Sequence, residues 1–368
     1  MKKELNKKFL LLQFFAILLV VNGHKFGINM FNDWFPIYSY HMALFIFISG
    51  YFYKSENERN VFKYIYKKFK NLIVPYYIWA AIYLGIVIIL NKFNLPTYSA
   101  EINLKNFFIE PWITGHQLGL NVAAWFVLSL FCVQVFYVLF RKIFFVKNDW
   151  IIMVIFIVIG AITVLLANKG YNKGYQLTLV KLFFLVQFYQ MGYLYKKKIE
   201  YKVKLNTILY FLIIFLIQFL IIKKWGNDNF SYSIAFGEKF SRTNIFLPLL
   251  TSTTGIMLWL KISEILLPVL GENKYIKYIA KNTWTIMMNH QLTFYFINLG
   301  VLFISTFIQI DNFNYDIFLH DMWYGYNCGD NRFYIFYIFL GIVIPLTIRF
   351  YLEKCVDKYR NKKTIKTI

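Results

Sequence analysis

Apolar residues in this chain gather in runs of about 20 closed by lysines, asparagines and glycines, instead of alternating or recurring at the spacing of a half-buried helix. A run of that length crosses the roughly 30 Å hydrocarbon layer of a membrane as one helix. The pattern predicts ten spans, near 9–28, 36–53, 72–91, 124–142, 149–167, 177–195, 206–222, 246–268, 283–308 and 333–352. The eighth, TNIFLPLLTSTTGIMLWLKISEILL, carries a Thr/Ser run that suits a helix packed on helices better than one facing lipid. The first follows MKKELNKK and has the charge and length of a secretory signal. No small-residue cleavage site follows it, and VNGHKFG leads straight into the second span, so residues 9–28 are expected to be retained. No internal repeat, linker or low-complexity tract divides residues 1–368, which are expected to form a single membrane-embedded domain.

Composition agrees with a membrane solvent. Hydrophobic residues make up 59% and charged residues 16% of the chain, against roughly 45–50% and about 25% in soluble domains. The expected fold class is all-α, a polytopic integral membrane protein with about ten transmembrane helices. Most of the 40 Lys and Arg fall in alternate segments, at Lys2–Lys8, Lys54–Lys70, Arg141–Lys147, Lys196–Lys204, Lys261–Lys281 and from Arg349 onward. Cytoplasmic loops retain such residues, so both termini are expected in the cytoplasm. The net charge of +22 then reads as topology, with a nearly neutral outer side, and nucleic-acid binding drops out. Lys181 lies inside a span, on neither side. Cys132, Cys328 and Cys355 have neither a disulfide framework nor metal-ligand spacing, and no metal is expected. Walker A, Rossmann, HExxH and GxSxG signatures are missing from the sequence.

Polar groups within spans are costly and therefore become candidates for function. His24 stands near the outer end of span one, eleven residues after Gln13. That spacing is close to three turns, which places both on one face about 16 Å apart. His24 reads either as a cap in the headgroup zone or as a chemical group. Span two opens on Tyr40 and His41, near the same outer end, so two imidazoles are expected to converge. Ser49 and Gly50 lie toward its inner end, where small residues permit close helix contact. Lys63, Lys67, Lys68 and Lys70 form a basic amphipathic stretch ending at Pro75, which is expected at a helix start. They read as inner-side topology or as a cradle for a polyanion. In the loop at 92–123, His116, Trp112 and Trp125 stand together; Trp125 is read as an interfacial belt residue, and Trp112 is left open to belt or sugar stacking. Asn289, His290 and Gln291 interrupt span nine, and at least one should face the bundle interior, in a structural network or in catalysis. Asp311, Asp316, Asp321, Asp330 and His320 sit among aromatics in the last outer loop, an arrangement able to grip a carbohydrate or simply to remain an exposed polar loop.

Six segments in order resemble the acyltransferase 3 family, in particular its fucose 4-O-acetylase-like branch: AILLVVNGH at 16–24, YHMALFIFISGYFYK at 40–54, KKFKNLIVPYYIW at 67–79, AAWFVLSLF at 123–131, KLFFLVQFYQMGYLYKK at 181–197 and YIAKNTWTIMMNHQ at 278–291. The resemblance implies a multi-pass enzyme of the bacterial plasma membrane that moves an acetyl group from acetyl-CoA to a glycan hydroxyl. It assigns the family's first-helix histidine to His24. The basic residue that the family carries eleven positions earlier is replaced by Gln13, and its Arg-x-x-Arg element is Lys67-Lys68-Phe69-Lys70, which keeps charge while losing the planar bidentate grip.

On this reading His24 acts as general base or transiently carries the acyl group, His41, His290 and Asn289 orient the reactants, and Lys63, Lys67, Lys68 and Lys70 hold the acetyl-CoA phosphates. Gln13, Ser49 and Trp125 complete the expected site as substrate-side or supporting residues. Expected partners are a glycan acceptor, membrane lipids and polysaccharide biosynthesis machinery, with no nucleic acid. The competing readings are a polysaccharide or lipid-linked sugar transporter without catalysis, and a scaffold subunit of an envelope polysaccharide complex. Acetyl transfer from the cytoplasm carries one geometric difficulty, since both histidines are expected toward the outside.

Overall fold

A computed structural model describes residues 6–25, 34–99, 101–115, 118–202, 205–225, 243–310, 313–327 and 333–366, the side chains of 327 and 356–366 excepted. Regular structure among these residues is helical throughout. In chain order the helices are α1 (Lys7–His24), α2 (His41–Tyr51), α3 (Val61–Lys68), α4 (Val74–Lys92), α5 (Leu104–Phe108), α6 (Glu110–Ile113), α7 (Trp125–Phe144), α8 (Asp149–Asn168), α9 (Tyr175–Leu194), α10 (Thr207–Trp225), α11 (Leu247–Leu270), α12 (Lys274–Lys281), α13 (Thr283–Ser305), α14 (Tyr315–His320), α15 (Met322–Asn327) and α16 (Tyr334–Lys366). Asparagine repeatedly starts them. The side-chain oxygens of Asn6, Asn60, Asn148 and Asn273 accept from the amides of Phe9, Lys63, Trp150 and Tyr275, which would otherwise be orphaned at the first turn.

Among the described residues, 8 helices are long and apolar enough to cross a membrane, with α3 and α4 counting as one. The chain is therefore an all-helical, multi-pass membrane protein, as its hydrophobic runs predict. Two further expected spans form with differences. α13 has the length, at 23 residues, but its polar centre lowers its hydropathy. The second expected span, 36–53, is not one helix: a 3₁₀ turn at Ile37–Ser39 is followed by non-helical Tyr40 (φ −145°, ψ −20°) and an α2 of only 11 residues. Eleven residues reach about 16 Å, half the hydrocarbon layer. The break is held by tertiary contacts. Trp259 Nε1 donates to Tyr40 Oη at 2.9 Å, and Gly255 makes room for the ring, since a Cβ there would lie 2.2 Å from Tyr40 Cγ.

Pro75 takes the helix-start position expected of it, in the first turn of α4, and a π-helical turn, Phe69–Ile73, joins that start to α3. A widened turn is one way to accommodate a ring that lacks an N–H. The Thr/Ser-rich α11 behaves as a packed helix: Thr254 Oγ1 donates to Gln218 Oε1 of α10 at 2.7 Å, and Ser252 Oγ to the Ser39 carbonyl at 2.6 Å.

Ion pairs and hydrogen bonds gather several helix ends on one face of the bundle. Lys8 pairs with Glu200 at 2.7 Å, Lys7 with Glu272, and Asn6 Nδ2 donates to Tyr51 Oη at 2.7 Å. Arg141 at the end of α7 bonds Glu58 at 2.7 Å and Asp149 at 3.0 Å, while Lys197 reaches Asp149 at 2.8 Å. Arg349 Nη1 donates to Thr285 Oγ1 at 2.6 Å, bringing α16 onto the start of α13. This lysine- and arginine-rich end is the basic face. α2 and α9 descend toward it side by side, and their contact depends on two glycines: a Cβ on Gly50 would lie 1.9 Å from the Tyr189 carbonyl oxygen, and one on Gly192 2.0 Å from that of Phe47. The close-contact role expected for Gly50 is the one it has.

Candidate active site

Three histidines share one local device. His24, His41 and His290 each place Nδ1 on the carbonyl oxygen four residues earlier, at 2.8 Å from Val20, 2.8 Å from Ile37 and 3.0 Å from Ile286. A carbonyl only accepts, so each ring carries its proton on Nδ1 and leaves Nε2 as a lone pair. His290 Nε2 lies 3.0 Å from His24 Nδ1. The His24 N–H is thus shared between the Val20 carbonyl and His290 Nε2, and the basic nitrogen left over is His24 Nε2. All three rings are buried, at 7%, 2% and 0% exposure.

His24 and His41 line one cavity with Val20, Tyr38, Met42, Ala123, Trp125 and Met287. The expected convergence of these two imidazoles is realised. Both stand at the ends of their helices farthest from the basic face, as expected: His24 is the last residue of α1, about 25 Å from Lys7, and His41 is the first residue of α2, about 15 Å from Tyr51. The pair is nevertheless enclosed by neighbouring helices instead of being open to the surface. Trp323 of α15 stacks parallel on His24 with ring centroids 6.4 Å apart, and Tyr38 meets His41 edge-on at 5.1 Å. The cavity volume is about 20 Å³, room for a single water. A sugar hydroxyl and a thioester fit together there only if the cavity walls move.

The polar triplet of α13 spreads around the helix. His290 backs His24, whereas Gln291 Oε1 accepts from the Ala123 amide at 2.9 Å and so fixes a wall of the cavity. Asn289 turns elsewhere: its Nδ2 donates to the Thr285 carbonyl at 2.8 Å, its Oδ1 accepts from Tyr83 Oη at 3.3 Å, and it lines a separate apolar cavity of about 530 Å³ with Trp79, Trp284 and Arg349. The structure does not bring Asn289 to the reactant cavity.

Trp125 differs from its expected place in a lipid-facing belt. It is 5% exposed and walls the histidine cavity, with the Lys181 ammonium 4.4 Å from its ring centroid. Trp112 Nε1 donates to Tyr77 Oη at 2.8 Å. Ser49 Oγ accepts from Gln134 Nε2 at 2.8 Å, tying α2 to α7 well below the histidines. Gln13 is half-buried, lines neither cavity beside the histidines and makes no hydrogen bond among the described residues. Lys63, Lys67 and Lys70 are exposed on α3 and its π turn, and Lys68 lies 5.3 Å from the Tyr64 ring centroid. They sit apart from the histidines, across an aromatic layer in which Tyr53 packs on Tyr64, Tyr137 and Tyr189. In the last loop Asp321 caps α15, Oδ1 accepting from the amides of Trp323 at 2.7 Å and Tyr324 at 3.1 Å. His116, Asp311 and Asp330 lie outside the described residues.

Lys181 is the site residue that sequence reasoning passed over, although a lysine inside an apolar run was the available signal. It is 6% exposed and forms neither ion pair nor hydrogen bond among the described residues. Taking an ammonium out of water costs several kcal/mol, and a desolvated cation–π contact returns about 2 kcal/mol. The family model described as an acyltransferase domain, of the acyltransferase 3 type, matches residues 6–350. No curated protein and no solved structure matches the chain.

Proposed function

Because the chain belongs to the acyltransferase 3 family, we propose that it is a membrane O-acetyltransferase of the bacterial plasma membrane, moving an acetyl group from acetyl-CoA to a hydroxyl of a cell-surface or exported polysaccharide. The observation that carries this reading is the His24–His290 contact at 3.0 Å beside a cavity shared with His41. His24 Nε2 takes the proton of the sugar hydroxyl as the oxygen attacks the thioester carbonyl. The C–S bond then breaks, and the proton passes from His24 to the leaving thiolate. A base held in one tautomer suits this step, which is worth about 10²–10⁴-fold in rate. The imidazolium formed keeps two acceptors on its Nδ1–H, the Val20 carbonyl and His290 Nε2. His41, with Nε2 unprotonated, accepts a hydrogen bond from a second sugar hydroxyl and orients the ring.

The basic face is the cytoplasmic one on this reading, and both termini lie there. Lys63, Lys67, Lys68 and Lys70 attract the phosphates of acetyl-CoA, whose thioester arm extends toward the histidines. Strains complemented with wild type or His24→Ala test the proposal through NMR of the surface glycan. Glycan that reaches the surface without O-acetyl groups supports it. Unchanged acetylation overturns the mechanism, and loss of surface glycan altogether favours transport.

A further inference from the structure

A second cavity adjoins the first and shares Tyr38, Met42 and Trp125 with it; its other lining includes Ser39, Ser252 and Lys181. The hydroxyls that line it already have partners. Ser39 Oγ donates to the Pro36 carbonyl at 2.8 Å, Ser252 Oγ to the Ser39 carbonyl at 2.6 Å, Tyr38 Oη to the Gly23 carbonyl at 3.0 Å, and Tyr40 Oη accepts from Trp259. The Lys181 ammonium keeps three donors unused among the described residues. It is also held in place: a Cβ on Gly115, whose φ is +85°, would lie 3.2 Å from Lys181 Nζ and 3.1 Å from Trp125 Cβ. The backbone at Gly115 and the indole of Trp125 thus bracket the cation.

We propose that Lys181 is an anion-binding residue of the acceptor site, so that the acetylated sugar carries a carboxylate or phosphate seated at Lys181 while its hydroxyl lies at His24 and His41. This rests on the reading of the histidine cavity as the acceptor site. A buried ammonium with no counter-charge among the described residues favours a ligand that supplies one, and the shared walls set that ligand beside the cavity of the imidazoles. Lys181 lies in the first turns of α9, whereas the donor-side lysines belong to the basic face toward which α9 descends. The anion it meets is therefore the acceptor's.

The test is binding to the full chain in neutral-lipid nanodiscs, followed by tryptophan fluorescence, with glucuronate, glucose 1-phosphate, glucose and 3′,5′-ADP as probes. Wild type should bind glucuronate or glucose 1-phosphate about tenfold or more tighter than glucose, the scale of one charge-assisted hydrogen bond. The two anionic probes separate a carboxylate from a phosphate. Lys181→Met should erase that gap, and Lys181→Arg should retain it. Equal binding of charged and neutral sugars by wild type, or a gap that survives Lys181→Met, overturns the assignment. So does selective loss of 3′,5′-ADP binding in Lys181→Met, which would give the residue to the donor. Charge discrimination without acetyl transfer would sink the proposed reaction and leave this site standing; transfer without discrimination would do the reverse.

Discussion

His290 Nε2 sits 3.0 Å from His24 Nδ1, and His290 Nδ1 sits 3.0 Å from the Ile286 carbonyl, so the second ring can only accept from the first. Its contribution grows as His24 gains a proton, because an acceptor facing a cation is worth more than one facing a neutral N–H. His290→Phe, which fills the space without an acceptor, should lower kcat about 10- to 100-fold with little change in either KM, the scale of one hydrogen bond to a charged group. His290→Gln, with an amide oxygen in reach, should recover part of the loss. Steady-state CoA release measures both. Equal losses in the two variants, accompanied by lower thermal stability, would make His290 a packing residue only.

The donor-side lysines make a different prediction, since exposed charges attract phosphate without touching the reacting carbonyl. Gln at Lys67, Lys68 and Lys70 together should raise KM for acetyl-CoA about tenfold and leave kcat near wild type, the pattern of lost uniform binding. Added salt should shrink the difference by screening the wild type. A fall in kcat at unchanged KM would remove these lysines from the donor site.

Gln13 stands where the resemblance to the family implies a basic residue, and it is half-buried with no hydrogen bond among the described residues. Gln13→Arg should therefore preserve or raise acetyl transfer, measured as CoA release at fixed expression. Complete loss would mean that this end of α1 has been remodelled around the amide.

How much of this was readable beforehand depends on which force decided each feature. The spans were legible because hydrocarbon thickness translates directly into run length, and α11 was legible as a packed helix through its Thr/Ser run. The short α2 was hidden because its break comes from Trp259 and Gly255, more than 200 residues away in the chain. Trp125 was misplaced because an indole at a belt and an indole on a cavity wall look the same in sequence; only the buried Lys181 against it distinguishes them. For Asn289, His290 and Gln291 the sequence announced polarity at mid-span but not direction, and a rotation of about 100° per residue sends the three to different neighbours. The histidine pairing was half legible: proximity of His24 and His41 followed from alternating helices, whereas the contact with His290 needed the packing of α1 on α13.

Gly50 and Gly192 let the backbones of α2 and α9 touch, and this contact sets the depth of His41. Gly50→Val should be strongly destabilising, because the nearest obstacle to a side chain is the Tyr189 carbonyl, 1.9 Å from an ideal Cβ, and backbone cannot rotate out of the way. A loss of about 3 kcal/mol or more is expected from forced helix separation, read as a lower melting temperature in detergent. Gly85, whose Cβ would meet nothing within 4 Å, supplies the control as Gly85→Val. Similar melting for the two variants would refute the packing argument.

Arg141 joins three segments at the basic face, with its side chain 8% exposed and its partners Glu58 and Asp149 23% and 2% exposed. Deleting one partner of a buried pair costs about 3–5 kcal/mol because the remaining charge stays buried. Here Lys197 still reaches Asp149 at 2.8 Å, so Arg141→Met should fall at the lower end, about 3 kcal/mol. The double variant Arg141→Met with Asp149→Asn removes the stranded charge and should be less destabilised than the sum of the two single changes. Thermal unfolding of the four proteins forms the cycle. Strict additivity would show that Arg141 and Asp149 do not couple, and that the end of α7 is anchored instead by apolar contacts.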